Sequence, residues 1–223
     1  MEFLFENILN LIGFLVGLAI GIMSYIGFRN TGSPTLFRLA IAFFAISIGF
    51  FVIWMGYTIE DFVIKSGSIE RWVQTLGIGI QTVGYFFIAF SHSIKSFFPK
   101  NRYLRSVGIF PLFVISTIHI EHIFRATSFI LLVYGAIETM LSFIDSRKKG
   151  AILVSLGLSL LALGEFLGWY SFVFPESILY YVSIGVKITG LISLFIPVSK
   201  VPMTKIKFDE LDDDVESDNS DLR

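Results

Sequence analysis

Apolar residues run in stretches long enough to cross a bilayer, separated by short polar segments. A hydrocarbon core takes about 20 apolar residues per helix. Seven stretches approach that length: 7–28, 37–57, 72–94, 103–120, 123–144, 151–174 and 177–198. They predict an all-α integral membrane protein with seven transmembrane helices over residues 1–207. The fourth stretch carries Arg105 near its start and Pro111 inside, so a kinked or tilted helix is expected there. The first is not expected to be a cleaved leader, because Glu2 and Glu6 stand where Lys or Arg would and the apolar run is too long.

Composition agrees with this pattern. Hydrophobic residues make up 54% of the 223-residue chain and charged residues 16%, against about 45–50% and about 25% in soluble domains. That argues against a soluble globular enzyme, a disordered chain and a nucleic-acid binder. There is no cysteine, which excludes disulfides, thiolate metal sites and cysteine nucleophiles.

The near-neutral net charge of −1 hides an asymmetry. Residues 1–207 hold 16 Lys/Arg against 10 Asp/Glu, a net of +6, whereas 208–223 hold one Arg against 8 Asp/Glu, a net of −7. With the N-terminus outside, the inner segments and helix ends carry twelve cations: Arg29, Arg38, Lys95, Lys100, Arg102, Arg105, Arg147, Lys148, Lys149, Lys200, Lys205 and Lys207. The outer segments carry three, Lys65, Arg71 and Arg125. The bias predicts an outside N-terminus and a cytoplasmic C-terminus in the cell membrane. Trp54, Trp72 and Trp169 all fall near outer helix ends, where an aromatic belt is expected. Residues 208–223 are expected to be a disordered acidic cytoplasmic tail. It either solvates the protein or docks on a basic partner or on the protein's own basic inner loops, which could equally bind anionic lipid. The outer segment 58–71 is mildly amphipathic and is expected to lie along the interface.

An internal repeat organises the spans. Residues 38–57 align with 153–172 without a gap, and Gly49-x-Phe51-x-x-Trp54 matches Gly164-x-Phe166-x-x-Trp169. Residues 78–84 align with 184–190 in the same order along the chain. The plan is a triplet (7–94), a linker helix (103–120) and a second triplet (123–198), with both triplets starting outside: a parallel repeat about an axis along the membrane normal. In architecture this resembles the SWEET and PQ-loop transporters, and more distantly the microbial rhodopsins. The resemblance is one of layout across the whole chain; the proline–glutamine pair of PQ-loop proteins is absent from the helices. Gly77, Gly79, Gly84, Gly185 and Gly190 are expected where helix backbones approach closely, or as hinges.

Ionisable groups at membrane depth are costly and each is a functional candidate. Three qualify, Glu138, Glu165 and Lys187, all in the second triplet. Their counterparts in the first are uncharged: Met23, Phe50 and Gln81 respectively. The first triplet therefore reads as scaffold and the second as site. At 1.5 Å rise per residue, Lys187 stands roughly 16 Å, Glu165 roughly 21 Å and Glu138 roughly 9 Å from the inner boundary. Lys187 can then reach Glu165, with Glu138 below. The plain reading is a buried ion pair that orients helices; the sharper one is a solute- or proton-coupled site, with Ser183, Thr189, Tyr134 and Tyr180 as further polar contacts. Lys187 also resembles the retinal Schiff-base lysine of microbial rhodopsins by its place midway along the seventh span. But span 72–94 has no acidic counter-ion, Ser183 stands where those proteins usually carry Asp, and the proline-centred aromatic cluster of the sixth span is missing.

His119, Glu121 and His122 could contribute to a metal site on the outer surface, though polar caps at two helix ends explain them as well and Arg125 opposes a cation. A bis-His haem is disfavoured, since His92 falls in the other leaflet. No phosphate-binding loop, zinc-protease motif or nucleophile elbow is present, so no enzymatic activity is expected. The residues favour a small-solute or proton-coupled transporter with a polar site in the last three spans. The alternative is a non-catalytic membrane component: a sensor module, an assembly factor or an accessory subunit that packs on other membrane subunits or on itself. A retinal-binding receptor is the remote third.

Overall fold

A computed structural model of the chain describes residues 2–59, 68–96, 120–146, 149–173 and 178–200. They form six helices: α1 (Glu2–Thr31), α2 (Pro34–Ile59), α3 (Ser68–Ser96), α4 (Ile120–Ser146), α5 (Lys149–Val173) and α6 (Leu179–Ser199). All six contain a stretch long and apolar enough to cross a membrane, and among the described residues there is no strand. This is a multi-pass helical membrane architecture. The expected helix at 103–120 and the acidic tail at 208–223 lie outside the described residues, apart from Ile120, which opens α4. Of the interfacial segment 58–71, residues 58–59 finish α2 and 68–71 begin α3.

Each helix packs on its neighbours in sequence, and α6 closes on α1, so the six form a ring. Tyr85, Phe50, Leu132, Leu161 and Leu191 fill its middle. Large apolar side chains such as Leu15, Phe86, Ile137 and Leu156 point outward, half exposed, as a surface solvated by lipid requires. The turn from α1 to α2 is short. Gly32 takes φ +67° there, and its N–H bonds the Phe28 carbonyl at 2.7 Å, closing α1 in the left-handed conformation that glycine adopts most cheaply.

Cross-contacts fix the helix directions. Asn7 near the start of α1 bonds Thr58 at the end of α2, and Phe5 stacks edge-on with Tyr181 at the start of α6. Gln74 early in α3 donates to the Tyr180 hydroxyl at 2.9 Å, while Gly168 late in α5 faces Arg125 early in α4. So α1, α3, α4 and α6 begin at one end of the bundle, where α2 and α5 finish. Trp54, Trp72 and Trp169 all belong to that end. Helix α3 finishes at the opposite end, yet α4 starts again at the tryptophan end.

The two halves are held by matching contacts. A methyl group on Gly49 would meet Gln81 Cγ at 2.5 Å; one on Gly164 would meet Lys187 Cγ at the same distance. Gly84 opposes Ile46 and the Ala42 carbonyl, and Gly190 opposes Leu161 and the Gly157 carbonyl. Phe14 stacks on Phe51 and Phe51 on Trp54; Phe129 stacks on Phe166 and Phe166 on Trp169. Gly77, Gly84 and Gly190 thus sit at close backbone approaches, as expected, and Gly79 lies under the Phe124 ring. Gly185 does not: a methyl group there would touch nothing within 4 Å, because it faces away from the packed seam.

Helices α3 and α4 join the halves through a buried hydroxyl pair, Thr82 and Ser128, 2.9 Å apart. Thr82 donates to the Ile78 carbonyl, so Ser128 supplies the bridging proton. Ser128→Ala should destabilise the bundle by about 0.6–1.5 kcal/mol, read as a lowered melting temperature in detergent. An unchanged melt would show that this bond does not hold the two halves.

Candidate functional site

The centre of the bundle is polar. On α5, the buried face carries Leu161, Ala162, Gly164, Glu165 and Gly168, and its charged member is fully enclosed, with 0% of the Glu165 side chain exposed. Lys187 on α6 lies across Gly164, whose missing side chain makes room for the lysine stem, and its Nζ reaches Glu165 Oε1 at 2.7 Å. The other carboxylate oxygen faces Arg125 Nη1 from α4 at 3.6 Å. Arg125 in turn grips Glu121, one turn earlier on the same helix, through Nε at 3.1 Å and Nη2 at 3.0 Å. The order Glu121–Arg125–Glu165–Lys187 alternates in sign and runs inward from the tryptophan end. Tyr85 of α3, fully buried, approaches the same carboxylate.

This arrangement gives each charge an opposite neighbour, the condition under which ionised groups survive at depth. Glu121 and Glu165 contribute two negative charges; Arg125 and Lys187 contribute two positive ones. The chain is therefore balanced within itself.

Next to it lies a cavity of about 10 Å³, the room one water needs. Its polar lining comes from Asn10 (α1), Gln81 (α3), Arg125 (α4), and Tyr180, Ser183 and Lys187 (α6), against the apolar Phe50, Ile53, Ile78 and Ile184. Ser183 donates to the Tyr180 carbonyl at 2.7 Å. Gln81 is 1% exposed, and neither its amide nitrogen nor its amide oxygen has a hydrogen-bond partner among the described residues. Nearer the tryptophan end, the buried Glu6 carboxylate neighbours the Tyr57 and Tyr180 hydroxyls.

Several sequence expectations change here. Arg125 is not an outer-loop cation: it is 2% exposed, because α4 begins at Ile120 and carries it a turn and a half into the bundle. The first triplet is not mere scaffold, since Asn10, Phe50, Ile53, Ile78 and Gln81 line the cavity. Nor is the cavity lined by the last three spans alone. Glu138 is partly buried on α4 but stands 13 residues beyond Arg125, roughly 20 Å further along the helix, and forms no ion pair with the central group. Thr189 is exposed and bonds the Gly185 carbonyl of its own helix; Tyr134 is partly buried on α4, below the cluster.

The metal and retinal readings find little footing. Glu121 is engaged by Arg125, His119 lies outside the described residues, and His122 is partly buried on α4. Among the described residues no three His, Asp or Glu side chains gather to hold an ion. Lys187 pairs with Glu165, and the cavity beside it measures about 10 Å³.

No protein family, curated protein or solved structure matches this chain.

Proposed function

We propose that this chain is a small proton-coupled transporter, without enzymatic activity, that works through the buried centre. The observation that carries the reading is the four-charge relay Glu121–Arg125–Glu165–Lys187 set against a polar cavity where the two halves meet. A bundle that only needed cohesion would use apolar packing, because buried ion pairs give little net stability over well-packed hydrophobic residues. Charge retained at membrane depth marks pathways for ions and solutes.

The halves support this reading by their correspondence. At the sequence offset of 115, Asn10 matches Arg125 and Phe50 matches Glu165; at the offset of 106, Ile78 matches Ile184 and Gln81 matches Lys187. Asn10 and Arg125, Ile78 and Ile184, and Gln81 and Lys187 all line one cavity, which is where an axis relating two parallel triplets would run. A site on such an axis is exposed alternately when the triplets rock against each other. The chain leaves α3 at one end and re-enters at the other, which supports 103–120 as a seventh crossing. The excess of basic residues at the end opposite the tryptophans supports placing that end in the cytoplasm.

The test is flux. Purified protein in liposomes loaded with a pH-reporting dye should acidify the lumen when one class of small solute is supplied outside, and Glu165→Gln at equal incorporation should abolish that response. If no solute moves protons beyond protein-free vesicles, the transporter reading falls.

The small size of the cavity favours one other reading, an accessory or sensor subunit that passes nothing. The two separate on gentle solubilisation from the native membrane. A transporter should migrate alone or as a homo-oligomer by native mass spectrometry; a stable unlike partner would support the subunit.

A further inference from the structure

Gln81 offers a donor and an acceptor with no partner among the described residues, at a wall of the central cavity, beside a relay of four charges that are matched. Leaving a buried amide unbonded costs about 1–3 kcal/mol, so the cavity is built for an occupant. Its size admits a single small species. Its wall selects the sign. Two cationic side chains, Arg125 and Lys187, and the neutral Asn10, Gln81, Tyr180 and Ser183 line it, and among the described residues no carboxylate does so.

We propose that this cavity binds a single monatomic anion of halide size, taken up together with a proton on Glu165. With Glu165 ionised the relay is neutral, and the cavity offers an anion no net positive charge. A proton arriving from solution converts the carboxylate to the neutral acid. Lys187 then loses the carboxylate it pairs with at 2.7 Å, while Arg125 still holds Glu121. One uncompensated positive charge in low dielectric draws an anion to the spot where Lys187, Arg125 and the Gln81 amide converge. Among the described residues, the groups facing Glu165 are Arg125 from α4, Lys187 from α6 and Tyr85 from α3, with Glu121 behind Arg125, and Glu165 is the carboxylate between the two cations. The anion is thus the substrate class of the transport reading on which this inference rests, but binding can be measured without flux.

Full-length protein in detergent is dialysed to equilibrium against radiolabelled chloride, in acidic and in alkaline buffer, with gluconate replacing the remaining chloride. The wild type should retain chloride in acid and release it in alkali. Glu165→Gln, which holds the neutral form permanently, should bind at both. Gln81→Leu should bind about tenfold more weakly, and Asn10→Leu provides a second probe of the wall if that variant fails to fold. No retention of chloride or bromide at either pH, or retention untouched by both wall variants, would mean that the cavity holds water alone. Chloride binding without flux would sink the transport reading and leave the anion site standing. Flux of another solute with no chloride binding would sink the anion site alone.

Discussion

Glu165→Ala should be the most destabilising single substitution among the buried charges of the relay. It removes the one carboxylate between Lys187 and Arg125 and leaves a lysine ammonium 5% exposed with no counter-charge. Breaking a buried pair in this way costs about 3–5 kcal/mol. Reversible unfolding in mixed micelles should show that loss directly. The double variant Glu165→Ala/Lys187→Met should recover part of it, because the stranded cation goes too and Arg125 still holds Glu121 at 3.0 Å. Glu165→Ala unfolding with the wild-type midpoint would mean that solvent reaches the pair and that the centre is not the sealed, low-dielectric place described above.

The second large effect is steric and falls on the seam of the first half. Gly49→Ala places a methyl group 2.5 Å from Gln81 Cγ and 2.6 Å from the Gly77 carbonyl oxygen. The glutamine side chain can swing, but a carbonyl in the middle of α3 cannot, so α2 and α3 must part. Overpacking of this kind costs about 1–3 kcal/mol, and Gly49→Leu should prevent assembly altogether. The same change at Gly185, which touches nothing within 4 Å, should stay within about 0.5 kcal/mol of wild type. Melting temperatures of the three variants in one detergent decide the matter. Equal tolerance at Gly49 and Gly185 would contradict the close approach of α2 and α3.

Much of this fold was legible because lipid-facing helices must be apolar over a fixed length. The six described helices all coincide with expected spans, and the Lys187–Glu165 contact followed from their places near the midplane. Arg125 was hidden because hydropathy places a helix end where polar residues begin. Glu121 and Arg125 look like the rim of a span, whereas helical structure extends back to Ile120 and draws both inward. A signal was nevertheless present: the offset of 115 sets Glu6 against Glu121 and Asn10 against Arg125, and all four turn out to be buried or nearly so. Glu138 failed for the opposite reason. An intramembrane carboxylate invites a functional reading, but 13 residues on an α-helix carry it roughly 140° around from Arg125, away from the charged face. Hydropathy gives depth; helical phase decides company.

The pairing of Gln81 with Lys187 and of Asn10 with Arg125 also bears on how such a molecule can arise. In a dimer of identical three-helix units every residue on the two-fold axis meets its own copy. A lysine there would face a lysine, and an arginine an arginine, across a space the size of one water. Joining the two units in a single polypeptide lifts that constraint: one copy keeps neutral amides while the other acquires ions. On the repeat proposed above, covalent fusion would permit a lopsided electrostatic core that a dimer of identical units could not hold.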